Sequence, residues 1–330
     1  MSMIETFEEY ISERYKNLEK DFLEKTSEHL SKNFSDLRKF CVGEWRKAIS
    51  DAAKVQGEKK CSYMSISLLN TSILKKFPQL QIDFYDEEWV YGESFSRSRM
   101  NADFLFKHWQ DFIFEAFDDS FYLRSGFGQV EIQSLFFDTA DKLAFMFACF
   151  AKYFAYQLEY SDEFDMLVRA ENFYVTCGTY LDWQNRIFAK LPEIDLLNPA
   201  DNEQTNFREL KNKIFRGQSF HDIEMRSCFF ADCLFQNFAF ENVNLADARF
   251  LRCRFISTNF INSKSAGCNF FECSFKNCTF QNCSSNPADV VENNNEYFAP
   301  MTLYHCYLLN CRDVDCDFEQ IKLKDIFEKK

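Results

Sequence analysis

Residues 215–280 read FRGQSFHDIEMRSCFFADCLFQNFAFENVNLADARFLRCRFISTNFINSKSAGCNFFECSFKNCTF. Eleven of the fourteen positions at multiples of five in this stretch are phenylalanine, and the other three are Met225, Leu245 and Ser265. A period of five residues fits neither the 3.6-residue turn of an α-helix nor the two-residue alternation of a flat strand. It predicts a repeating chain that turns a corner every fifth residue. The phenylalanines of this period are Phe215, Phe220, Phe230, Phe235, Phe240, Phe250, Phe255, Phe260, Phe270, Phe275 and Phe280.

A second inward-facing position lies two residues before most of these phenylalanines, and it is occupied by small or apolar residues. Seven of its occupants are Cys228, Cys233, Cys253, Cys268, Cys273, Cys278 and Cys283. The pattern resembles the pentapeptide-repeat family, whose repeat is A(D/N)LXX with a large apolar centre and a small residue two places earlier. The resemblance covers about residues 207–323 and implies a right-handed quadrilateral β-helix in which four repeats make one coil. Because a fold does not carry a function, the resemblance specifies architecture better than activity.

Residues twenty apart stack along one face of such a coil, so the phenylalanines form three aromatic columns. The fourth column reads Met225, Leu245, Ser265 and Ser285, and its inward residues become smaller toward the end. We expect this face to be looser or bulged beside Ala266 and Gly267. Each coil depends on its neighbours for burial of these columns.

The repeat stops after Ser285 and resumes, shifted in phase, at Leu303. Eighteen residues separate these two centres where five are needed, so about thirteen are extra. We interpret residues 286–300 as a loop that projects from one corner. It contains a candidate interaction loop that suits recognition and equally suits a disordered segment, since long loops are commonly one or the other. The residues of the candidate loop are Glu292, Asn293, Asn294, Asn295, Glu296 and Tyr297.

Residues 1–190 show mainly helical spacing and are predicted to form an acidic, Phe-rich α-helical domain. A capping box at Ser2 and Glu5 predicts the start of the first helix, and Asn101 is predicted to cap another. A run from Phe164 to Phe188 is predicted as one helix. Alternating apolar residues predict one β-hairpin near 62–85.

The predicted fold class is therefore α+β and multidomain. It comprises a mainly α-helical N-terminal domain with a β-hairpin, a linker at 191–206, a β-helix at 207–323 with the inserted loop, and a cap or tail at 324–330. Because an open solenoid end exposes unpaired edges, a cap or a homodimer contact is expected there.

Ten of the fourteen cysteines lie in the repeat region, which raises the question of a metal site. Their spacing is C-x4-C, whereas zinc and iron–sulfur signatures need a close C-x2-C pair. We interpret them as buried structural thiols and expect no metal and no cofactor. The carboxylates Asp83, Asp86, Glu87 and Glu88 are interpreted as a solvated turn, and no catalytic residue is predicted because no nucleophile, phosphate-binding or metal-binding motif occurs.

The acidic charge belongs to the N-terminal part of the chain. Residues 1–206 hold 23 Lys and Arg against 35 Asp and Glu, a balance of −12, while residues 207–330 hold 15 against 16, a balance of −1. An acidic chain is a poor direct ligand of nucleic acid. The N-terminus lacks a charged segment followed by an apolar core, and no apolar run reaches the length of a membrane span, so we expect neither a secretory signal nor membrane insertion. Many cysteines without such a signal favour the cytoplasm.

The absence of catalytic motifs favours a non-catalytic cytoplasmic scaffold that binds protein partners through its β-helix. The family resemblance implies an alternative, a protein that protects a type II topoisomerase such as gyrase or confers immunity to a toxin. The nearly neutral repeat weakens that alternative, because imitation of DNA needs an acidic surface. A third hypothesis is an enzyme in the helical domain with the solenoid as its docking arm, since sites assembled from distant residues leave no local motif.

Overall fold

The computed structural model describes residues 6–74, 77–120, 129–197, 205–285, 301–317 and 322–324. The chain divides into two compact units, Met1–Lys190 and Leu191–Lys330. The first unit combines helices with a sheet, and the second is built from short parallel strands.

Most of the described residues of the N-terminal unit are helical. The helices are α1 (Phe7–Tyr10), α2 (Lys16–Lys32), α3 (Phe34–Val55), α4 (Asn70–Leu74), α5 (Trp109–Ser120), α6 (Gln129–Ala151) and α7 (Asp162–Met166), with a π-helical segment at Ile11–Tyr15 and 3-10 turns at Trp89–Tyr91 and Ala155–Tyr160. Thr6 caps α1 in a capping box with Glu9, while the predicted box at Ser2 and Glu5 lies outside the described residues. The predicted cap at Asn101 is wrong, because Asn101 ends a strand and α5 begins at Trp109.

The N-terminal unit also contains a five-stranded sheet, of which the predicted hairpin is one part. Its strands are β1 (Cys61–Leu68), β2 (Gln79–Tyr85), β3 (Ser96–Asn101), β4 (Arg169–Thr179) and β5 (Gln184–Lys190), in the order β3-β2-β1-β4-β5. Strands β1 and β2 pair antiparallel, with Ile66 opposite Ile82. Strand β4 pairs parallel to β1, so the two central strands are distant in sequence.

The single helix predicted from Phe164 to Phe188 is wrong. That region forms α7, β4 and β5. The apolar residues that suggested a helical spacing are divided between a short helix and two strands. The pairing of β4 with β5 also shifts register between Val175 and Thr176. An irregular register disturbs the two-residue alternation by which a strand is recognised in a sequence.

The C-terminal unit is a quadrilateral β-helix with three regular faces. Face 1 contains β7 (Ile214–Arg216), β10 (Leu234–Gln236), β13 (Arg254–Ile256), β16 (Ser274–Lys276) and β19 (Tyr307–Leu309). Face 2 contains β8 (Ser219–His221), β11 (Ala239–Glu241), β14 (Asn259–Ile261), β17 (Thr279–Gln281) and β20 (Arg312–Val314). Face 3 contains β6 (Glu209–Lys211), β9 (Phe229–Ala231), β12 (Arg249–Leu251), β15 (Asn269–Phe271), β18 (Thr302–Tyr304) and β21 (Lys322–Lys324).

Stacked phenylalanine rings fill the interior of the coils. Phe235 pairs with Phe215 on one side and with Phe255 on the other, which places identical positions of successive coils in register. The rings of Phe235 and Phe255 lie 5.1 Å apart and 5° from parallel, and those of Phe240 and Phe260 lie 4.8 Å apart at 3°. Since each such side chain contributes about 1.5–3 kcal/mol when fully buried, the columns supply most of the cohesion between coils.

The corners of the coil require a left-handed backbone. A positive φ recurs every fifth residue, for example at Asp232, Asn237 and Asn242 with φ between 49° and 55°. Asn and Asp tolerate this conformation better than other residues that carry a Cβ, and glycine adopts it freely. Gly217 and Gly267 occupy two of these corners, with φ of 63° and 68°.

Face 4 differs from the others along its whole length, and not only beside Ala266 and Gly267. It contains only isolated bridges, which link Glu224, Asn244, Lys264, Ser284 and Asp317 in sequence. Each coil makes a tight turn on this face. The backbone N–H at the start of the next repeat donates to the carbonyl three residues earlier in the same coil. Ala248 N–H donates to the Leu245 carbonyl at 2.9 Å, and Cys268 N–H donates to the Ser265 carbonyl at 3.0 Å.

The register across the interruption supports the predicted length of the insertion. Phe270 pairs with Leu303 and Phe275 with Leu308, so residues 33 apart occupy the positions that are 20 apart elsewhere. The difference is the thirteen extra residues. The coil therefore continues in the same four-sided form after residues 286–300, which are themselves outside the described residues.

We expect Phe235→Ala to lower the free energy of unfolding of the repeat unit by about 3–5 kcal/mol, since Phe235 is fully buried between two rings and its removal leaves a cavity. Urea unfolding followed through hydrogen exchange of the repeat amides measures this loss. Ile214→Ala is the matched control, because Ile214 is 63% exposed in the same unit, and a comparable loss in both variants would contradict the ladder as the source of stability.

Candidate interaction surface of the repeat unit

The seven cysteines singled out in the repeat all lie in the interior. Their thiols donate weak hydrogen bonds to backbone carbonyls of the preceding coil, such as Cys253 Sγ to the Phe230 carbonyl at 3.4 Å and Cys273 Sγ to the Phe250 carbonyl at 3.3 Å. Burial raises the pKa of Cys228 to about 12 and that of Cys283 to about 11. The thiols of Cys228 and Cys283 are therefore neutral near pH 7 and poorly nucleophilic.

The described part of the chain contains no group of three or more His, Cys, Asp or Glu residues arranged to hold a metal ion. All fourteen cysteines are unbridged. The stacked thiols act as small buried residues that leave room for the neighbouring rings.

The prediction of a solvated turn is confirmed for Glu87 and Glu88, which are exposed in the turn after β2, and is wrong for Asp83. Asp83 is fully buried on β2, where its carboxylate accepts hydrogen bonds from Arg97 Nε at 2.6 Å and Gln81 Nε2 at 2.7 Å. Asp86 pairs with Lys59 at 3.1 Å, and the hydrogen bond from Lys59 lowers the pKa of that carboxyl group. Asp83 and Asp86 therefore each pair with a separate cation and do not form one joint site.

Polar ladders run along the outer corners of the β-helix. Asn242 Nδ2 donates to Asp222 at 2.8 Å, Asn262 Nδ2 donates to Asn242 at 3.0 Å, and Asn282 Nδ2 donates to Asn262 at 3.2 Å. At another corner Arg252 forms a bidentate pair with Asp232, with distances of 2.8 and 2.7 Å. These corner groups satisfy one another.

The last coil presents an aromatic corner, which we define as Phe271, Tyr304, His305 and Tyr307. Phe271 and Tyr304 follow inward-facing centres of face 3 and therefore point outward. Their rings stack at 4.9 Å and 9°, and the Tyr304 ring meets the His305 ring edge-on at 4.1 Å. His305 is exposed, while Phe271, Tyr304 and Tyr307 are half-buried.

The repeat pattern did not predict this aromatic corner, because it specifies only the inward-facing positions. The available signal was the run LYHCYLL at residues 303–309, where aromatic side chains occupy outward positions. The candidate loop from Glu292 to Tyr297 lies outside the described residues, so it stays a prediction. The described coil that follows this loop carries the aromatic corner.

The coil geometry defines the class of this unit. Five residues make each side of the coil. A large and a small residue face inward, and a residue with a left-handed backbone turns each corner, so residues 205–285 and 301–317 form a β-helix of the pentapeptide-repeat type.

The solved structures similar to this chain are also pentapeptide-repeat proteins. A protein from the cyanobacterium Cyanothece 51142 is 9% identical, with 38% of this chain and 92% of that chain covered and a TM-score of 0.32. QnrB1, described as a plasmid-mediated fluoroquinolone resistance protein, is 16% identical over 38% of this chain and 70% of that chain, with a TM-score of 0.30. A pentapeptide-repeat protein from the thylakoid lumen of Arabidopsis thaliana is 11% identical over 40% of this chain and 77% of that chain, with a TM-score of 0.15.

A family model described as the SV2A/B/C luminal domain matches residues 202–280, which is less than a quarter of the chain. No curated protein matches the sequence. Among the described residues, no helix has both the length and the apolar character needed to cross a membrane.

We expect fourteen thiols to react with a thiol reagent after unfolding without reductant, and only a minority to react in the folded protein. The half-buried Cys149, Cys311 and Cys316 should react first, because the other cysteines are buried. Timed thiol titration at pH 8 measures both numbers. A total well below fourteen after unfolding would indicate disulfides and would contradict a purely packing role.

Proposed function

We propose that this chain is a non-catalytic, cytoplasmic protein that binds a protein partner, with the β-helix as a rigid scaffold and the aromatic corner as its contact surface. The observation that carries the proposal is the outward stack of Phe271 on Tyr304 beside the exposed His305. Aromatic side chains are enriched at the energetic centres of protein interfaces, because they bury a large area at a small cost in conformational entropy.

The rigidity of the scaffold supports this assignment. The aromatic corner lies on β15, on β18 and β19, and at the corner residue between the last two strands. Strands β18 and β19 pair in register with β15 and β16 of the preceding coil. Behind Tyr304 and Tyr307, Leu303 is buried and Leu308 packs against the same core. A surface held in this way needs little ordering when a partner binds, which favours affinity.

Electrostatics favour a contact that depends on shape and apolar area rather than on charge. The repeat region balances to −1, and its corner charges include the bidentate Arg252–Asp232 pair. Strong steering of a charged partner needs a surface of one sign. The near-zero charge balance of residues 207–330 favours little steering of this kind.

We expect a photo-crosslinking phenylalanine analogue at position 307 to trap a discrete partner in cells of the source organism. The same analogue at position 214 is the matched control, because Ile214 and Tyr307 occupy the same outward position of face 1 in the first and last coils. Tyr304→Ala combined with His305→Ala should reduce the yield at position 307 by about tenfold, since the two changes remove neighbouring aromatic contacts.

Equal crosslinking from positions 307 and 214 would contradict the aromatic corner as the contact surface. An unchanged yield in the doubly substituted protein would do the same. Circular dichroism of each variant distinguishes loss of contact from loss of fold.

The topoisomerase alternative leads to a separate test. We expect the purified chain neither to inhibit supercoiling by gyrase nor to protect it from a quinolone, because a nearly neutral β-helix does not reproduce the phosphate charge of duplex DNA. A supercoiling assay with and without the quinolone measures both effects. Inhibition or protection that follows the concentration of the chain would favour the topoisomerase alternative over the scaffold.

A further inference from the structure

The sheet of the N-terminal unit has two chemically different faces. Met64, Ile66 and Leu68 of β1 alternate onto the apolar face, which is covered by helices α3 and α6. Ser65 and Ser67 lie on the opposite face, and each is only 3% exposed although it is polar. Polar side chains buried on a sheet in this way need partners or a ligand to offset the loss of water.

A cavity of about 220 Å³ lies on this polar face. Its walls come from β1, from the end of β2, from the 3-10 turn that follows β2, and from the hairpin between β4 and β5. The residues lining it are Ser65, Ser67, Tyr85, Val90, Tyr91, Tyr180, Leu181, Asp182 and Gln184. The volume is below the roughly 300–1,000 Å³ of drug-sized sites, so it suits a molecule about as large as an amino acid.

The side chain of Gln184 is part of the cavity wall. Its Nε2 donates to the Thr179 carbonyl at 3.0 Å and to Ser67 Oγ at 3.1 Å. The carbonyl oxygen of Thr179 can only accept a hydrogen bond, so the amide atom of Gln184 that contacts it must be the nitrogen. Gln184 Oε1 is therefore a buried atom that has no hydrogen-bond partner in the described structure. No donor neutralises its negative partial charge, which favours a cation over an anion nearby.

The charge of the cavity lining is negative. Asp182 is exposed at its rim, and no Lys, Arg or His is among the lining residues. The guanidinium of Arg97, on the neighbouring strand β3, is paired with the buried Asp83 at 2.6 Å. Burial raises the pKa of Tyr85 to about 12, so its hydroxyl remains neutral. The three tyrosines Tyr85, Tyr91 and Tyr180 add aromatic rings, which attract cations.

The two segments at the mouth of the cavity have unusual backbones and exposed side chains. Trp89 and Leu181 have φ values of 51° and 56°, in the left-handed region that bulky residues rarely adopt. Tyr91 is 94% exposed and Leu181 is 66% exposed. Strained backbone and exposed apolar side chains at one opening are typical of a binding site.

We propose that this cavity binds a small organic cation, a protonated or methylated amine about as large as an amino acid. The ammonium group of the cation pairs with Asp182, and the tyrosines contact its apolar part. This binding site is additional to the protein-binding surface of the repeat unit and does not depend on it.

Ligand-observed NMR titration of the full chain with phenethylamine tests the proposal. Phenethyl alcohol and hydrocinnamate are the neutral and anionic probes of similar size. We expect saturable binding of phenethylamine with a dissociation constant of about 1 mM, and at least about tenfold weaker binding of the other two probes, because both lack the cation. No saturation by phenethylamine, or equal binding of hydrocinnamate, would overturn the proposal.

Two exposed substitutions locate the binding without disturbing the fold. Asp182→Asn and Tyr91→Ala should each weaken phenethylamine binding by about two- to fivefold, and the double variant by about tenfold. Asp21→Asn and Tyr160→Ala are matched controls, since both residues are exposed and neither lines the cavity. Binding that is unchanged in the double variant, or equally weakened in the controls, would overturn the assignment of the cation to this cavity.

Discussion

In-register stacking of phenylalanine rings is the interaction on which the repeat unit depends. Phe235 lies 5.0 Å from the Phe215 ring and 5.1 Å from the Phe255 ring, so a coil cannot shift along its neighbours without separating every ring of a column. This constraint also governs the insertion, which is tolerated because the coil resumes with Leu303 beneath Phe270. The interior is filled by packing, which leaves recognition to the outer surface.

The corners explain why that surface is mostly neutral. The backbone turns through a left-handed residue at every fifth position, and the short polar side chains suited to this conformation stack and bond to one another, as Asn242 and Asn262 do at 3.0 Å. Their polar groups are satisfied within the ladder. The last coil departs from this pattern by placing Tyr304 and Tyr307 outward, and the proposed protein contact follows from that departure.

The N-terminal unit uses a different means of exposing chemistry. Its sheet is covered by helices on one face, while the other face carries buried serines, a paired Asp83 and an unsatisfied Gln184 amide oxygen. Two bulky residues with a left-handed backbone stand at the opening. In the proposed site the acidic rim favours a cation over an anion, because the nearby Arg97 is already paired with Asp83.

The β-helix, its three aromatic columns, the thirteen inserted residues and the hairpin of Ile66 and Ile82 can be predicted from the sequence, because each leaves a short-range period or offset. The pairing of β4 with β1, and the division of the run from Phe164 to Phe188 into a helix and two strands, depend on tertiary contacts. The cavity was likewise hidden, since it is assembled from residues distant in the chain. Local periodicity reports which side of an element is buried, whereas a site depends on which elements meet.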